Sequence, residues 1–249
     1  MIIIKNDKEI DLMRIAGRIV AETLLLVEKK VKPGITTAEL DRIAEEFITK
    51  HGAIPSFKGL YGFPASLCIS VNEQVVHGIP GGYVLKEGDI ISVDCGANIN
   101  GFHGDAARTF AVGNISEEAK RLIKVTEESF FKGLEFAKVG NKLTDISHEI
   151  QRYVEVSGFS VVREFVGHGI GKSVHEDPEV PNFGRPGRGP KLVAGMALAI
   201  EPMVNMGTYR VATLGDDWTV VSADKSLSAH YENTVVILPD GPEILTLIK

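Results

Sequence analysis

Three scarcities narrow the field. Cysteine occurs only twice in 249 residues, at Cys68 and Cys95. Two cannot build a disulfide framework, which points to a reducing compartment. Positive charge is in deficit, with 27 Lys and Arg against 33 Asp and Glu and a formal net charge of −6, so no broad nucleic-acid surface is expected. Long hydrophobic runs are missing as well. The N-terminus, MIIIKNDKEI, holds three consecutive isoleucines before charge returns, too short for a signal-peptide core or a membrane span. What remains is 44% hydrophobic and 24% charged, ordinary for a globular protein. A cytoplasmic protein is the default expectation, with no membrane contact and one domain over residues 1–249 in two internal halves, about 1–114 and 115–249.

The chain is organised around DIISVDCGANINGFHGD, residues 89–105. Ile91, Val93 and Cys95 alternate with Ser92, Asp94 and Gly96, a strand pattern. Asn98 to Gly101 carries the turn signal, ending in Asn-Gly, and a second strand runs through Asp105. A two-residue Asn100-Gly101 turn sets Asp94 opposite Ala107, one diagonal step from Asp105. A four-residue loop, 98–101, sets Asp94 directly opposite Asp105. Either register puts both carboxylates on one face, with Cβ atoms about 5 to 8 Å apart. Like charges that close repel unless one is protonated or a cation joins them. An exposed hairpin with two solvated aspartates is the competing account.

Along the chain, Asn6 with Glu9 opens a helix expected to reach about Val31, and Thr36 with Glu39 opens a second that stops at His51-Gly52. Ser116 caps a helix to about Lys138, and Thr144 caps another that ends at Gly158. Leu67 to Val71, Phe159 to Val166 and Lys191 to Glu201 read as strands, followed by further strands through Ile237. This order is a repeat. Gly34 and Gly140 each end a first helix, and Gly52 and Gly158 each end a second, both pairs 106 apart. Leu85-x-x-Gly88-x5-Asp94 returns as Leu192-x-x-Gly195-x5-Glu201, 107 apart. Asp94 and Glu201 are therefore expected at equivalent depths on equivalent strands, in two ααβ-rich halves whose sheets face inward about a pseudo-twofold axis.

Ala197, Ala199 and Glu201 share a face, as do His230, Glu232 and Thr234. Carboxylates on small or polar faces run against the preference for apolar interiors. The plain alternative is that Glu201 and Glu232 sit on solvent faces, and the repeat weighs against it for Glu201. His168 lies in GHGIGKSVHEDPEV with His175 seven residues on. GHGIGKS is one residue short of a phosphate loop between its glycines, and HEDPE lacks the second histidine of a zinc-protease helix. By itself His168 reads as a loop histidine whose flanking glycines allow close backbone packing. Asp94, Asp105, Glu201 and Glu232 together carry −4. One divalent ion leaves −2 in a poorly hydrated cavity, which is costly, and two make it neutral. Oxygen donors with one imidazole suit Mn, Fe or Co and tolerate Zn. Two such ions about 3.5 to 4 Å apart can acidify a bridging water and set it against a carbonyl, which is hydrolysis.

DCGANINGFHGD, GHGIG, H-E-D-P, EPM and YENTVV resemble the type I methionine aminopeptidases over essentially the full chain. The resemblance implies an α+β, pita-bread (creatinase/aminopeptidase) fold: two pseudo-twofold-related ααβ halves with curved antiparallel sheets enclosing the site and helices outside. It implies two divalent ions on Asp94, Asp105, His168, Glu201 and Glu232. Asp94 chelates one, His168 and Glu201 hold the other, and Asp105 and Glu232 bridge. It makes Glu201 a proton shuttle, His77 a substrate contact and His175 a donor to the scissile carbonyl. A free N-terminal amine bound at the ion away from His168 accounts for exopeptidase action. The substrate implied is the N-terminus of a nascent polypeptide whose second residue is small, and the enzyme is expected to act as a monomer.

The specificity pocket is where the chain departs from that family. Cys68 and Trp218 match pocket positions, but the tyrosine-bearing stretch is replaced by FKGLYGFP, with Phe57, Leu60 and Phe63 at the lining places, and Val174 stands where phenylalanine is usual. The walls stay apolar and suit a thioether; plain core packing is the alternative role for Phe57, Phe63 and Trp218. The loop NFGRPGRGP is a candidate ribosome contact, with a solvated loop as the simpler account. Two rivals remain: a proline-specific aminopeptidase of the same fold, which usually carries an added N-terminal domain, and a non-catalytic binding protein on the same scaffold.

Overall fold

The computed structural model describes residues 1–248. The first half runs α1 (Asp7–Glu28), α2 (Thr37–Lys50), β1 (Ile54–Pro55), β2 (Leu67–Val71), β3 (Gln74–Val76), β4 (Ile90–Ile99) and β5 (Phe102–Ala111). The second runs α3 (Glu117–Leu134), α4 (Leu143–Val156), β6 (Ser160–Val161), β7 (Gly167–Gly169), β8 (Glu176–Val180), β9 (Ala197–Ile200), β10 (Met203–Asn205), β11 (Val211–Thr213), β12 (Val220–Ser222), β13 (Ser228–His230), β14 (Asn233–Leu238) and β15 (Gly241–Ile244). Every strand pairing is antiparallel. Among the described residues no helix is long and apolar enough to cross a membrane.

Local sequence explains the helix starts. The Glu9 N–H donates to Asn6 and the Asn6 N–H to Glu9, 3.1 Å each way. Thr36 and Glu39 repeat the box on α2, and Ser116 accepts from the Ala119 N–H at 3.1 Å. These side chains satisfy donors that have no partner inside the helix. The start of α4 differs from expectation. It begins at Leu143, and Asp145 accepts the Lys142 N–H at 2.8 Å. That leaves the Thr144 hydroxyl free to donate to the Arg188 carbonyl at 3.0 Å. Helices α1 and α3 stop at Glu28 and Leu134, about one turn short of the expected ends at Val31 and Lys138.

The duplication extends to backbone torsions. Gly34 and Gly140 have φ of +92° and +99°, Gly52 and Gly158 +74° and +81°, Gly88 and Gly195 +93° and +87°, all in the region that favours glycine. The Gly34 N–H donates to the Leu85 carbonyl at 2.8 Å, and the Gly140 N–H to Leu192 at 3.0 Å. Strand β1 pairs with β4 through Ile54↔Asn98 and Pro55↔Ala97, and β6 pairs with β10 through Ser160↔Asn205 and Val161↔Val204, the same register moved by 106 and 107 positions. The turn at Gly195 explains why the strand expected from Lys191 begins only at Ala197. The stretch expected as a strand over 159–166 is extended only at Ser160–Val161.

One strand in the first half, β4, becomes two in the second, β9 and β10, parted at Glu201-Pro202. Proline brings no N–H to a ladder. The Glu201 carbonyl is taken instead by the Asn182 side-chain amide at 3.0 Å.

The halves join along β5 and the β13–β14 segment. The Ala107 N–H donates to the Glu232 carbonyl at 3.3 Å, and the Glu232 N–H to Ala107 at 3.0 Å. Thr109 donates to the His230 carbonyl and accepts the His230 N–H, both at 2.9 Å. Thr234 holds the Asp105 backbone in the same two ways, also at 2.9 Å. Ala107 and Glu232, Thr109 and Thr234, and Asp105 and His230 are each 125 positions apart, so the pseudo-twofold axis passes through this seam. The rise in offset from 107 to 125 is the β11–β12 hairpin, which carries Trp218 to the site. Each half has its own apolar core under its helix pair.

Candidate metal centre

The β4–β5 hairpin settles the register. Ile99 faces Phe102 across a two-residue turn, and Asn100 and Gly101 have φ of +54° and +79°, as a tight hairpin turn requires. Asp94 lies opposite Ala107 and Asp105 opposite Gly96. This is the two-residue alternative, and the side-chain period of two puts both carboxylates on one face. Cys68 on β2 pairs with Asp94.

The second half supplies the other wall. His168 on β7 faces Ala199 on β9, and Thr234 faces Ala199 from the other side. Ala197 is packed in an apolar cluster with Ile10, Met13 and Val236 rather than beside the cavity. The His168 Nε2 lies 3.6 Å from Glu201 Oε1 and 3.9 Å from Asp105 Oδ2. The ligand atoms of Asp105, His168 and Glu232 all fall within 4.8 Å of one another, as do those of Glu201, His230 and Glu232. His168 directs Nδ1 at the Gly169 carbonyl, 2.8 Å away. In the neutral ring that fixes the proton on Nδ1 and turns the Nε2 lone pair to the centre.

Asp105 and Glu232 are 3% and 2% exposed, and Asp94 Oδ1, Asp105 Oδ1 and Glu232 Oε1 have no hydrogen-bond partner. Buried carboxylate oxygens are rarely left unpaired. Burial pushes the Glu201 carboxyl up to about 8. It pushes Asp94 up to about 7, with the His230 ring pulling downward and Glu201 pushing further up. Burial, and then the charge of neighbouring carboxylates, hold Asp105 (beside Asp94 and Glu201) and Glu232 (beside Asp105 and Glu201) well above the usual carboxylate range. Burial also lowers the His168 and His77 imidazoles to about 4, which keeps them neutral. Four carboxyls that resist ionisation, three orphaned oxygens and a bare imidazole nitrogen fit a divalent cation with oxygen-rich coordination.

A cavity of about 730 Å³ opens from this floor, and Phe57, Leu60, Phe63, Cys68, His77, His175 and Trp218 reach it. Phe57, Phe63, Cys68 and Val174 form one apolar cluster with Leu60 and Trp218 against it, so the pocket residues expected from the sequence converge. The His175 ring stands perpendicular to His168, centroids 4.5 Å apart. His77 has φ of +59°, a left-handed backbone that is unusual away from glycine, and its ring meets Phe165 and Trp218 edge-on at 5.5 and 6.4 Å.

Sequence reasoning missed the part played by five residues. Tyr61 stacks on His175 with centroids 6.1 Å apart, and Phe165 lines the cavity. Lys5 reaches Glu176 at 2.5 Å with both side chains almost fully buried. Glu176 also accepts the Lys172 and Ser173 N–H groups, so the N-terminal segment latches the loop that carries His175. His230 lies on the face the alternation gave it, but nothing in its spacing set it at the centre. In the loop 182–190, Asn182 is fully buried and Arg185 and Arg188 are exposed.

Residues 11–239 match the metallopeptidase family M24. The chain is 78% identical to a methionine aminopeptidase of Clostridium perfringens over 249 residues, covering all of both chains. It is 71% identical to a methionine aminopeptidase of Clostridium acetobutylicum, again over the whole of both. The crystal structure of methionine aminopeptidase from Thermotoga maritima superposes with a TM-score of 0.98 at 47% identity, covering 100% of each chain. An Xaa-Pro dipeptidase from Bacillus anthracis shares the fold, with a TM-score of 0.81 at 24% identity, covering 99% of this chain and 62% of that one.

Proposed function

The chain belongs to metallopeptidase family M24, a metallo-exopeptidase with the pita-bread fold, and we propose that it removes the initiator methionine from nascent proteins whose second residue is small. The observation that carries this reading is the ring of buried, partnerless carboxylate oxygens and one bare imidazole nitrogen at the base of an apolar cavity. Asp94, Asp105, His168, Glu201 and Glu232 hold divalent metal, and their charge of −4 as carboxylates calls for two ions, drawn from Co, Mn, Fe or Zn. When bound, such ions supply Lewis acidity that polarises a carbonyl and acidifies water.

The protein's own groups do the rest. Glu201 takes the proton of the attacking water and passes it to the leaving amine, a role its burial suits because the protonated carboxyl is favoured there. His175, neutral at working pH because burial lowers its imidazole, donates to the scissile carbonyl oxygen as negative charge grows on it. His77 touches the substrate from a fixed, left-handed backbone. Phe57, Phe63, Cys68 and Trp218 give the methionine side chain an apolar wall. The substrate is a nascent N-terminus met in the cytoplasm by a monomer, and exposed Arg185 and Arg188 are the residues offered to a transient ribosome contact.

Cleavage of Met-Ala-Ser set against Ala-Pro tests the choice. Methionine release should dominate, and faster turnover of the proline peptide would move the function to the fold's proline-specific branch.

A further inference from the structure

His230 ends β13 and is 1% exposed. Its backbone is fixed from both sides by the Thr109 hydroxyl. Its ring Nε2 is buried without a hydrogen-bond partner and lies 3.5 Å from Glu201 Oε2. The other oxygen, Oε1, lies 3.6 Å from the His168 Nε2. One carboxylate thus sits between two imidazoles, with an oxygen toward each. The two rings are not equivalent. His168 commits its Nδ1–H to Gly169, so its Nε2 has no proton to give. His230 is the ring left to donate, and a shift of about 0.5 Å brings its Nε2 to ordinary N–H···O length. Such bonds are often long before substrate binds and tighten afterwards.

We propose that His230 is a positioning residue: its Nε2–H donates to Glu201 Oε2, sets the rotation of that carboxylate and leaves Oε1 for the ion on the His168 side. This rests on Glu201 being a ligand and proton carrier. It also gives a use to the imidazole that lies with Glu201 and Glu232 and that the ligand set leaves over. The seam explains how the ring arrives there, since His230 is the pseudo-twofold counterpart of Asp105 and is held by the counterpart of the threonine that holds Asp105.

Three measurements on the full chain test it. Nitrogen-15 NMR of the metal-free wild type should find the His230 proton on Nε2; a proton on Nδ1, with a bare Nε2 facing Glu201, overturns the proposal and makes the ring a direct ligand. His230→Leu, of similar volume with no donor, should lower kcat on Met-Ala-Ser about 10- to 100-fold, the worth of one hydrogen bond to a charged group, with KM within about twofold. It should also alter the visible spectrum of the Co(II)-loaded protein. His230→Gln, which keeps an N–H donor, should restore both. Wild-type kcat and spectrum in His230→Leu, or no rescue by His230→Gln, overturns the proposal alone. A wild type that takes up no Co(II) overturns the reading of the centre itself. The NMR result stands even where His230→Leu fails to fold.

Discussion

In the first half Asp94 and Asp105 rise from one unbroken hairpin; in the second, His168, Glu201 and Glu232 come from or beside short strands that end at the cavity. The two backbones agree in glycine torsions, in the hydrogen bonds from Gly34 to Leu85 and from Gly140 to Leu192, and in the pairing of β1 and β6. Their side chains agree at Asp94 and Glu201 and diverge at the seam, where Asp105 answers to His230 and Ala107 to Glu232. A repeated backbone holds the halves at a fixed distance, and the side chains are then free to differ. The break at Pro202 is part of that difference, because it takes Glu201 out of a regular ladder.

The largest expected effect breaks the pair Asp94 and Glu201. Glu201→Gln should keep the fold and lose at least about 100-fold in kcat, the scale of acid–base catalysis. Circular dichroism checks the fold and Met-Ala-Ser turnover the rate; near-native turnover would remove Glu201 from the chemistry.

The seam can be unpicked one side at a time. Thr109→Val deletes three hydrogen bonds, two to the His230 backbone and one to the Ser92 hydroxyl, and Thr234→Val deletes two; they should cost about 3 and about 2 kcal/mol in denaturant unfolding. Only Thr234→Val releases the Asp105 backbone, so it should weaken metal binding more. Equal metal affinities in the two variants would mean that the threonines matter for stability alone.

A pH series on the metal-free protein sharpens the contrast between carboxyls and imidazoles. The carboxyls are raised on folding, so the folded state binds more protons than the unfolded one, and stability falls as pH rises through their folded values. For Asp94 and Glu201 those lie at about 7 and about 8. The imidazoles are lowered from 6.5 to about 4, which gives the opposite slope, confined to pH below 6.5. Between pH 6.5 and 8 the carboxyls act unopposed. The thermal midpoint of metal-free protein should fall across that window, and metal-loaded protein should hold level.

Smallest is the effect on the repeat itself. Gly34→Ala and Gly140→Ala should each cost about 1 kcal/mol, since alanine resists a left-handed backbone. Gly34 bonds Leu85 and Gly140 bonds Leu192, with no partner in common, so the losses should add.

Much of this was legible because it is local or periodic. Each capping box, Asn6 with Glu9 and Thr36 with Glu39, spans only four residues, and an even hairpin loop puts Asp94 and Asp105 on one face whichever turn forms. The repeat was legible because a left-handed turn restricts the residue to glycine. Long-range burial was not. Lys5 and Glu176 are 171 positions apart, and nothing near either one announces the other. Thr144 carries a good cap signal, yet Asp145 supplies the acceptor and the hydroxyl goes to Arg188. Spacing alone left His168 a loop histidine, and only the family resemblance gave it to the centre. His230 was set on the correct face by alternation, but its distance to Glu201 depends on the break at Pro202, which period-two patterning does not register.

Four buried carboxyls cannot all ionise until cations arrive, and calorimetry of Mn(II) binding to metal-free protein at pH 7 in buffers of different ionisation enthalpy measures this directly. Because burial holds Glu201 near 8 and Asp94 near 7, with Asp105 and Glu232 also raised, binding should expel protons and the observed heat should vary with the buffer. Heat that is the same in every buffer, with no proton released, would mean the carboxylates were already charged and would contradict the account.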